Sequence, residues 1–228
     1  MGAGSALACA KLVAQRVREE AAEILGASPE QIELLDNGAQ VRGEVARRVS
    51  MRQVAESAHS HERDIICSKM YGTTAAPISA GAHFCLVRVD STTGKVKVLR
   101  YAAVHDVGRP LNPLGLEGQV AGGIQMGIGY ALSEGLELDE NGNIPHRRLR
   151  DCHLLRATDM PRDVRIEFLD SAEHTGPFGA KSVGECGTVP VAGCVAAAVS
   201  NAVGHEFRSL PIREEDVLCA LRESRTRG

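Results

Sequence analysis

Between residues 118 and 132 the chain sets five glycines (Gly118, Gly122, Gly123, Gly127 and Gly129) inside a helical pattern of apolar residues that includes Val120, Ile124, Ile128 and Leu132. Each glycine in a helix interior costs up to about 1 kcal/mol relative to alanine. A helix can persist there only if its backbone comes close to something that recovers the loss. On this segment alone, a packed neighbour and a bound cofactor are both open readings. The same shortage of bulk runs through the chain: 24 of 228 residues are glycine, tryptophan is absent, and there are four phenylalanines and three tyrosines. Such a chain brings backbone close to backbone, cofactor or partner.

The rest of the pattern reads as α+β, with antiparallel β-hairpins packed by glycine- and alanine-rich helices. A first helix is expected over residues 5–25, with Ser5 as its N-cap and Gly26 ending it. Short apolar runs at 32–35 and 40–42 flank Asp36-Asn37-Gly38, a hairpin signal. Ser50 caps a helix over 51–58. The clearest strands are 82–89 and 95–104, joined by a polar turn. The first of them is apolar on both faces and therefore reads as interior; the second has one wet face. A helix is expected over 112–132, with Met126 and Tyr130 in the core, then a hairpin around 136–143 and a strand over 164–169. Pro190 opens a helix that Gly204 closes, and a last helix covers 213–222. With no internal repeat, linker or composition shift, residues 1–228 read as one α+β domain.

Several function classes drop out at this level. The 26 basic and 29 acidic side chains give a net charge of −3, so there is no electrostatic footprint for nucleic acid. No apolar stretch is long enough to span a membrane, and Met-Gly-Ala-Gly-Ser lacks the basic start of a secretory signal, which makes the cytoplasm the expected location. The seven cysteines are scattered, with no C-x-x-C, and hold neither a disulfide framework nor a metal cluster in this reading; no protein ligand to a metal is expected. His59 and His61 read as a solvated loop, and His83 and His105 as structural histidines.

Three glycine-bearing stretches could carry chemistry. Gly2-Ala3-Gly4-Ser5 leads into a helix whose free N–H groups suit an anion, or is a plain cap. The second stretch is the glycine helix. The third, Gly179-Ala180-Lys181-Ser182-Val183-Gly184-Glu185, leaves a carboxylate between glycines just before a helix, with room for a reactant; a surface turn would look alike.

The order Gly-Gln-x-x-Gly-Gly-x-x-x-Gly-x-Gly-x-Ala-Leu from Gly118, then Gly-Ala-Lys-Ser-Val-Gly-Glu from Gly179, then an Ala/Val-rich helix, resembles the C-terminal part of the molybdenum-binding subunit of the xanthine dehydrogenase, aldehyde oxidase and carbon monoxide dehydrogenase family. The resemblance takes in Asp106-Val107-Gly108-Arg109-Pro110-Leu111-Asn112-Pro113 and reaches back to Gly4-Ser5. It implies a molybdenum hydroxylase acting on a small molecule, an N-heterocycle or aldehyde, whose carbon receives water-derived oxygen. Its cofactor is molybdopterin, plain or as a cytosine dinucleotide. By this match Glu185 is the catalytic base. Lys181, Ser182, Val183 and Gly184 lie along the pterin, Gln119, Gly122 and Gly123 lie near the cofactor, and Gly4 and Ser5 lie near the dinucleotide phosphates. Electrons leave through an iron–sulfur subunit and a FAD subunit. The family's upstream pterin motifs are absent, so either the subunit is split and a larger molybdopterin-binding chain completes the site, or this sequence is a fragment of the subunit. A non-catalytic remnant serving as an assembly module, and a free-standing acid/base enzyme built on Glu185 with His83 or His105, are the other classes considered.

Overall fold

The computed structural model describes residues 2–63, 65–72, 77–136, 138–144, 148–171 and 173–226. They group into two compact units, Met1–Ala76 with Thr175–Pro177, and Pro77–His174 with Phe178–Gly228. Each unit has its own three-stranded sheet and its own apolar cluster.

The first unit comprises α1 (Gly2–Leu25), β1 (Ile32–Leu35), β2 (Gly38–Val41), β3 (Glu44–Ser50) and α2 (Met51–Ser60), the strands antiparallel in the order β1-β2-β3. The expected hairpin forms, with Leu35 paired to Gly38. Val17 and Ala21 of α1 close over Ile32, Ala39, Val41, Val49 and Val54. Ser50 caps α2 as expected: its Oγ accepts from Gln53 N at 3.3 Å while its own N–H donates to Gln53 Oε1 at 2.9 Å, a reciprocal box. Strand β3 escapes sequence reading because its polar run, mostly exposed, shows no alternation. Ser5 is not the N-cap of α1. The helix starts at Gly2, since Gly2, Ala3 and Gly4 offer no side chain to compete for the first backbone groups, and Ser5 lies inside its first turn. Among the described residues of the unit the buried carboxylate is Glu20 (4% exposed), which accepts from Ser57 Oγ at 2.6 Å and pairs with Arg63 Nε at 3.3 Å. Those partners offset the cost of burying its charge.

The second unit holds β4 (Ala80–Val89), β5 (Val96–Asp106), α3 (Pro113–Leu132), β6 (Asp163–Leu169), α4 (Val191–Val203) and α5 (Glu214–Thr226). The expected β4–β5 hairpin forms, and β6 joins β5 in parallel, so this sheet is not purely antiparallel. The order β4-β5-β6 places β4 at an edge, against its expected interior position. Cys85, Val87 and Val89 turn to the core, whereas Phe84 and Leu86 stand outward, 64% and 51% exposed. Helix α4 packs on β4 and on α3. It buries Val191, Val195, Val199 and Val203 at four-residue spacing and ends at Gly204, whose φ of +72° suits a residue without Cβ. In α3 the buried face runs through Val120, Gly123, Ile124, Gly127, Ile128 and Ala131. Met126 and Tyr130, expected in the core, are each 46% exposed because they fall on the opposite face. Around 136–143 no hairpin forms among the described residues: Asp139 Oδ1 instead accepts from the N–H groups of Asn141 and Asn143, an Asx-type turn. Glu137 lies outside the described residues.

Behind β4 and β5, His83 Nδ1 lies 2.9 Å from Tyr101 Oη and His83 Nε2 lies 2.8 Å from His105 Nε2. His105 is 1% exposed, and its Nδ1 is buried without a hydrogen-bond partner. Burial, reinforced by the neighbouring His105, pushes the pKa of His83 down to about 4, and burial lowers that of His105. Both rings therefore stay neutral where the unfolded chain begins to take up protons, near the ordinary histidine value of 6.5. Stability present above that pH is lost as pH falls toward 4. Urea unfolding between pH 7 and 4.5 should show a falling midpoint, and His83→Gln should flatten that fall; an unchanged slope would contradict the buried-neutral assignment.

Candidate functional site

The site is built where the end of β5, the loop after it and residues 179–189 meet α3. Asp106 begins an Asx turn: its Oδ1 accepts from Gly108 N at 3.0 Å and from Ser171 Oγ at 2.6 Å. Gly108 has φ of +62°, and a Cβ on it would overlap the Gly179 carbonyl oxygen, so glycine is required there. That close approach forms a short antiparallel bridge, with Arg109 N donating to Gly179 O at 2.7 Å and Lys181 N donating to Val107 O at 2.8 Å. Further along, Ser79 Oγ donates to Ser182 O at 2.6 Å, and Gln119 Nε2 donates to Gly184 O at 2.6 Å. Glu185 O then accepts from Thr188 N at 2.9 Å and Val189 N at 3.1 Å, turning the chain toward α4.

These ties divide the residues expected from sequence into two groups. Gln119, Gly122, Ser182, Gly184 and Glu185 are exposed. Gly118, Gly122 and Gly184 have nothing within 4 Å of the place a Cβ would occupy. Around the Gln119–Gly184 bond the surface is therefore bare backbone at these glycines, with exposed Glu185 next in the chain. Lys181, Val183 and Gly123 turn the other way. The Lys181 side chain is only 10% exposed, its Nζ 2.8 Å from Asp106 Oδ2 and 3.2 Å from Ile78 O, so its charge is spent inside the fold rather than along an open face. Val183 packs against the core of the unit. Gly123 is buried, and a Cβ on it would stand 2.7 Å from the carbonyl carbon of Gly187. Gly4 and Ser5 belong to the first unit, where Gly4 is buried beneath the Tyr71 ring, on which any Cβ would collide. The geometry gives Gly4 a packing role.

Sequence reading placed Asp106 in the family-like connection without giving it a role, and missed Ser171 and Ser79 as parts of this structure. An Asp two residues before a glycine was the available signal for the first; nothing local marks the other two. Lys181, Ser171 and the Gly108 N–H hold the Asp106 pKa down to about 2, so the group is a carboxylate throughout the neutral range. His83 is bound to His105 and to Tyr101, and His61 lies 3.6 Å from Glu20 in the first unit. A cavity of about 1240 Å³ opens in the second unit between Arg88, Lys97, Ile128, Leu132, Leu155 and Glu214, and none of the residues expected at the site lines it. Gln119, Ser182, Gly184 and Glu185 lie outside this cavity, on the open glycine surface. Among the described residues no helix is long and apolar enough to cross a membrane.

The second unit thus sets a mixed sheet and a glycine-rich helix beside an exposed stretch of bare backbone that carries Gln119 and Glu185. The molybdopterin cofactor-binding domain family matches residues 1–161. The chain is 35% identical over 168 residues to the xanthine dehydrogenase molybdenum-binding subunit of Escherichia coli O157:H7, covering 72% of this chain and 22% of that one. It is 30% identical over 227 residues to the nicotine 6-hydroxylase large subunit of Paenarthrobacter nicotinovorans, covering 93% of this chain and 28% of that one. Quinoline 2-oxidoreductase from Pseudomonas putida 86 superposes with a TM-score of 0.71 at 28% identity, over 94% of this chain and 28% of that one. The chain belongs to the molybdopterin cofactor-binding family, among the molybdenum-binding subunits of the xanthine dehydrogenase, aldehyde oxidase and carbon monoxide dehydrogenase group. It spans about a quarter of the length of these relatives.

Proposed function

We propose that this chain is the base-bearing part of the molybdopterin-binding subunit of a molybdenum hydroxylase, with Glu185 as the catalytic base. The observation that carries the reading is the bare surface of Gly118, Gly122 and Gly184 around the Gln119–Gly184 hydrogen bond, with exposed Glu185 next in the chain. Such a surface fits a flat, hydrogen-bonding group, because no side chain separates it from the backbone. When bound, molybdopterin with its molybdenum supplies the electron-accepting centre for hydroxylation of an N-heterocycle or aldehyde by water-derived oxygen. Gly118, Gly122 and Gly184 would admit the pterin, in its plain or cytosine dinucleotide form. Gln119 uses its Nε2 to hold Gly184 in place and keeps an amide oxygen for the cofactor. Ser182 adds a hydroxyl at the rim. Glu185 takes the proton released as oxygen is delivered, and a carboxylate flanked by Gly184 can reach a reactant that a bulkier neighbour would exclude.

In this reading a larger molybdopterin-binding chain supplies the remaining cofactor contacts, an iron–sulfur subunit and a FAD subunit carry electrons away, and the complex works in the cytoplasm. Expressed alone, the chain should bind well under one molybdenum per polypeptide, since it offers only part of a cofactor surface. Produced with the rest of a relative-length subunit, it should co-purify in a complex holding near-stoichiometric metal. Metal analysis of both preparations checks this. Full loading of the isolated chain, or an unloaded complex, would contradict the reading.

A further inference from the structure

We propose that Asp106 is a positioning residue for Glu185, acting through Lys181; the inference rests on the base assignment above. Its ground is a set of contacts that runs from the end of β5 along residues 181–184 to the backbone just before Glu185. Asp106 is itself fixed first, because Oδ1 accepts two hydrogen bonds, from Gly108 N at 3.0 Å and Ser171 Oγ at 2.6 Å, which set its rotamer. Its other oxygen, Oδ2, receives the Lys181 ammonium at 2.8 Å, and Ile78 O accepts from the same ammonium at 3.2 Å. A lysine 10% exposed is unusual, as this side chain normally keeps its charge in water and is buried only when paired.

The pairing acts on the loop at the residue where the loop leaves the bridge. Backbone bonds tie 179 and 181 to 107 and 109, and the side chain of Lys181 ties the same point to Asp106. Three residues separate that anchor from Glu185. Within them, Ser182 O and Gly184 O are held by Ser79 and Gln119, and Val183 packs on the core. Those ties restrain the segment sideways; the charged pair fixes where it starts. Without the Asp106 charge, the nearly buried ammonium has lost its counter-ion and must swing toward water, drawing residues 179–181 off the bridge. A displacement of about 1 Å at a reacting group can cost about 10²-fold in rate.

The experiment uses the complete enzyme containing this chain, compared at matched molybdenum content. Asp106→Asn keeps both Oδ1 bonds and removes the charge. It should lower kcat by about 10- to 100-fold with KM within about twofold of wild type. Lys181→Met should do the same, and the double variant should be no worse than the poorer single, since the two act as a unit. In a Glu185→Gln background, Asp106→Asn should add less than about twofold, because a residue that works through the base has nothing left to position. Ser171→Ala, which spares the ion pair, should show a smaller loss with the same non-additivity, and it serves if Asp106→Asn fails to assemble. Asp106→Asn or Ser171→Ala multiplying fully with Glu185→Gln, or both leaving kcat within about twofold, would overturn the positioning role while leaving the base assignment intact. Turnover surviving in Glu185→Gln would instead overturn the base assignment, and the proposal with it.

Discussion

Replacing Glu185 with glutamine in the complete enzyme is expected to lower turnover by about 10² to 10⁴, the usual worth of a general base, while molybdenum content stays at the wild-type level. The separation of the two effects follows from where the carboxylate sits. Glu185 is exposed, and it is its backbone carbonyl, not its side chain, that accepts the bonds from Thr188 and Val189 that shape the turn. Glutamine preserves shape and hydrogen-bonding capacity and removes only the basic lone pair. The open surface of Gly118, Gly122 and Gly184 is untouched by the change, so the cofactor should load as before. Rapid-mixing measurement of the reductive half-reaction at matched metal content reads the step directly. Turnover within a few-fold of wild type would place the base elsewhere.

A second large effect separates two adjacent glycines that look equivalent in sequence. Gly123→Val should destabilise the fold by about 3 kcal/mol, the upper end for overpacking a filled site, because its Cβ would stand 2.7 Å from the Gly187 carbonyl carbon and 2.8 Å from Thr188 Oγ1. Backbone on both sides leaves little room to yield. Gly122→Val should leave stability unchanged or slightly raised, since there is open space above that residue and valine is the better helix former. Its cost should fall on the cofactor: the added side chain stands on the bare surface, and molybdenum content should drop with the fold intact. Thermal unfolding and metal analysis on both variants check the pair. Equal destabilisation, or full loading of Gly122→Val, would contradict this division of the helix into a packed and a ligand-facing side.

Sequence patterns made α3 legible as a helix under strain from its glycines, and left open whether close packing or a cofactor recovers the cost. The structure divides the answer by position: Gly123 and Gly127 meet Gly187 and Val191, whereas Gly118 and Gly122 meet nothing. Helical periodicity tells which residues share a face but not what lies opposite, which is also why Met126 and Tyr130 were expected inside. The hairpins at β1–β2 and β4–β5 and the caps at Ser50 and Gly204 could be read because each is set by local chemistry: an Asn-Gly turn, a polar turn closed by Asp90, a capping side chain and a glycine at positive φ. Strand order could not, since the apolar run of β4 is equally consistent with a centre or an edge. The helix begins three residues before Ser5 because the Gly-Ala-Gly stretch ahead of it offers no side chain to stop a helix. At the site, the exposed placement of Glu185 followed from its glycine neighbour. The inward turn of Lys181 did not, because its partner Asp106 lies 75 residues away and only the fold brings them together.

The central claim is that the surface around Gln119, Gly184 and Glu185 is the face this chain turns to molybdopterin. An experimental structure of the complete, molybdenum-loaded enzyme tests it most directly. The account predicts the Glu185 carboxylate within hydrogen-bond reach, directly or through one water, of the reacting atoms, with Gly122, Gly184 and the Gln119 amide lining the pterin. A metal centre seated in the cavity between Arg88, Ile128 and Leu155, with Glu185 facing solvent or polypeptide, would contradict it.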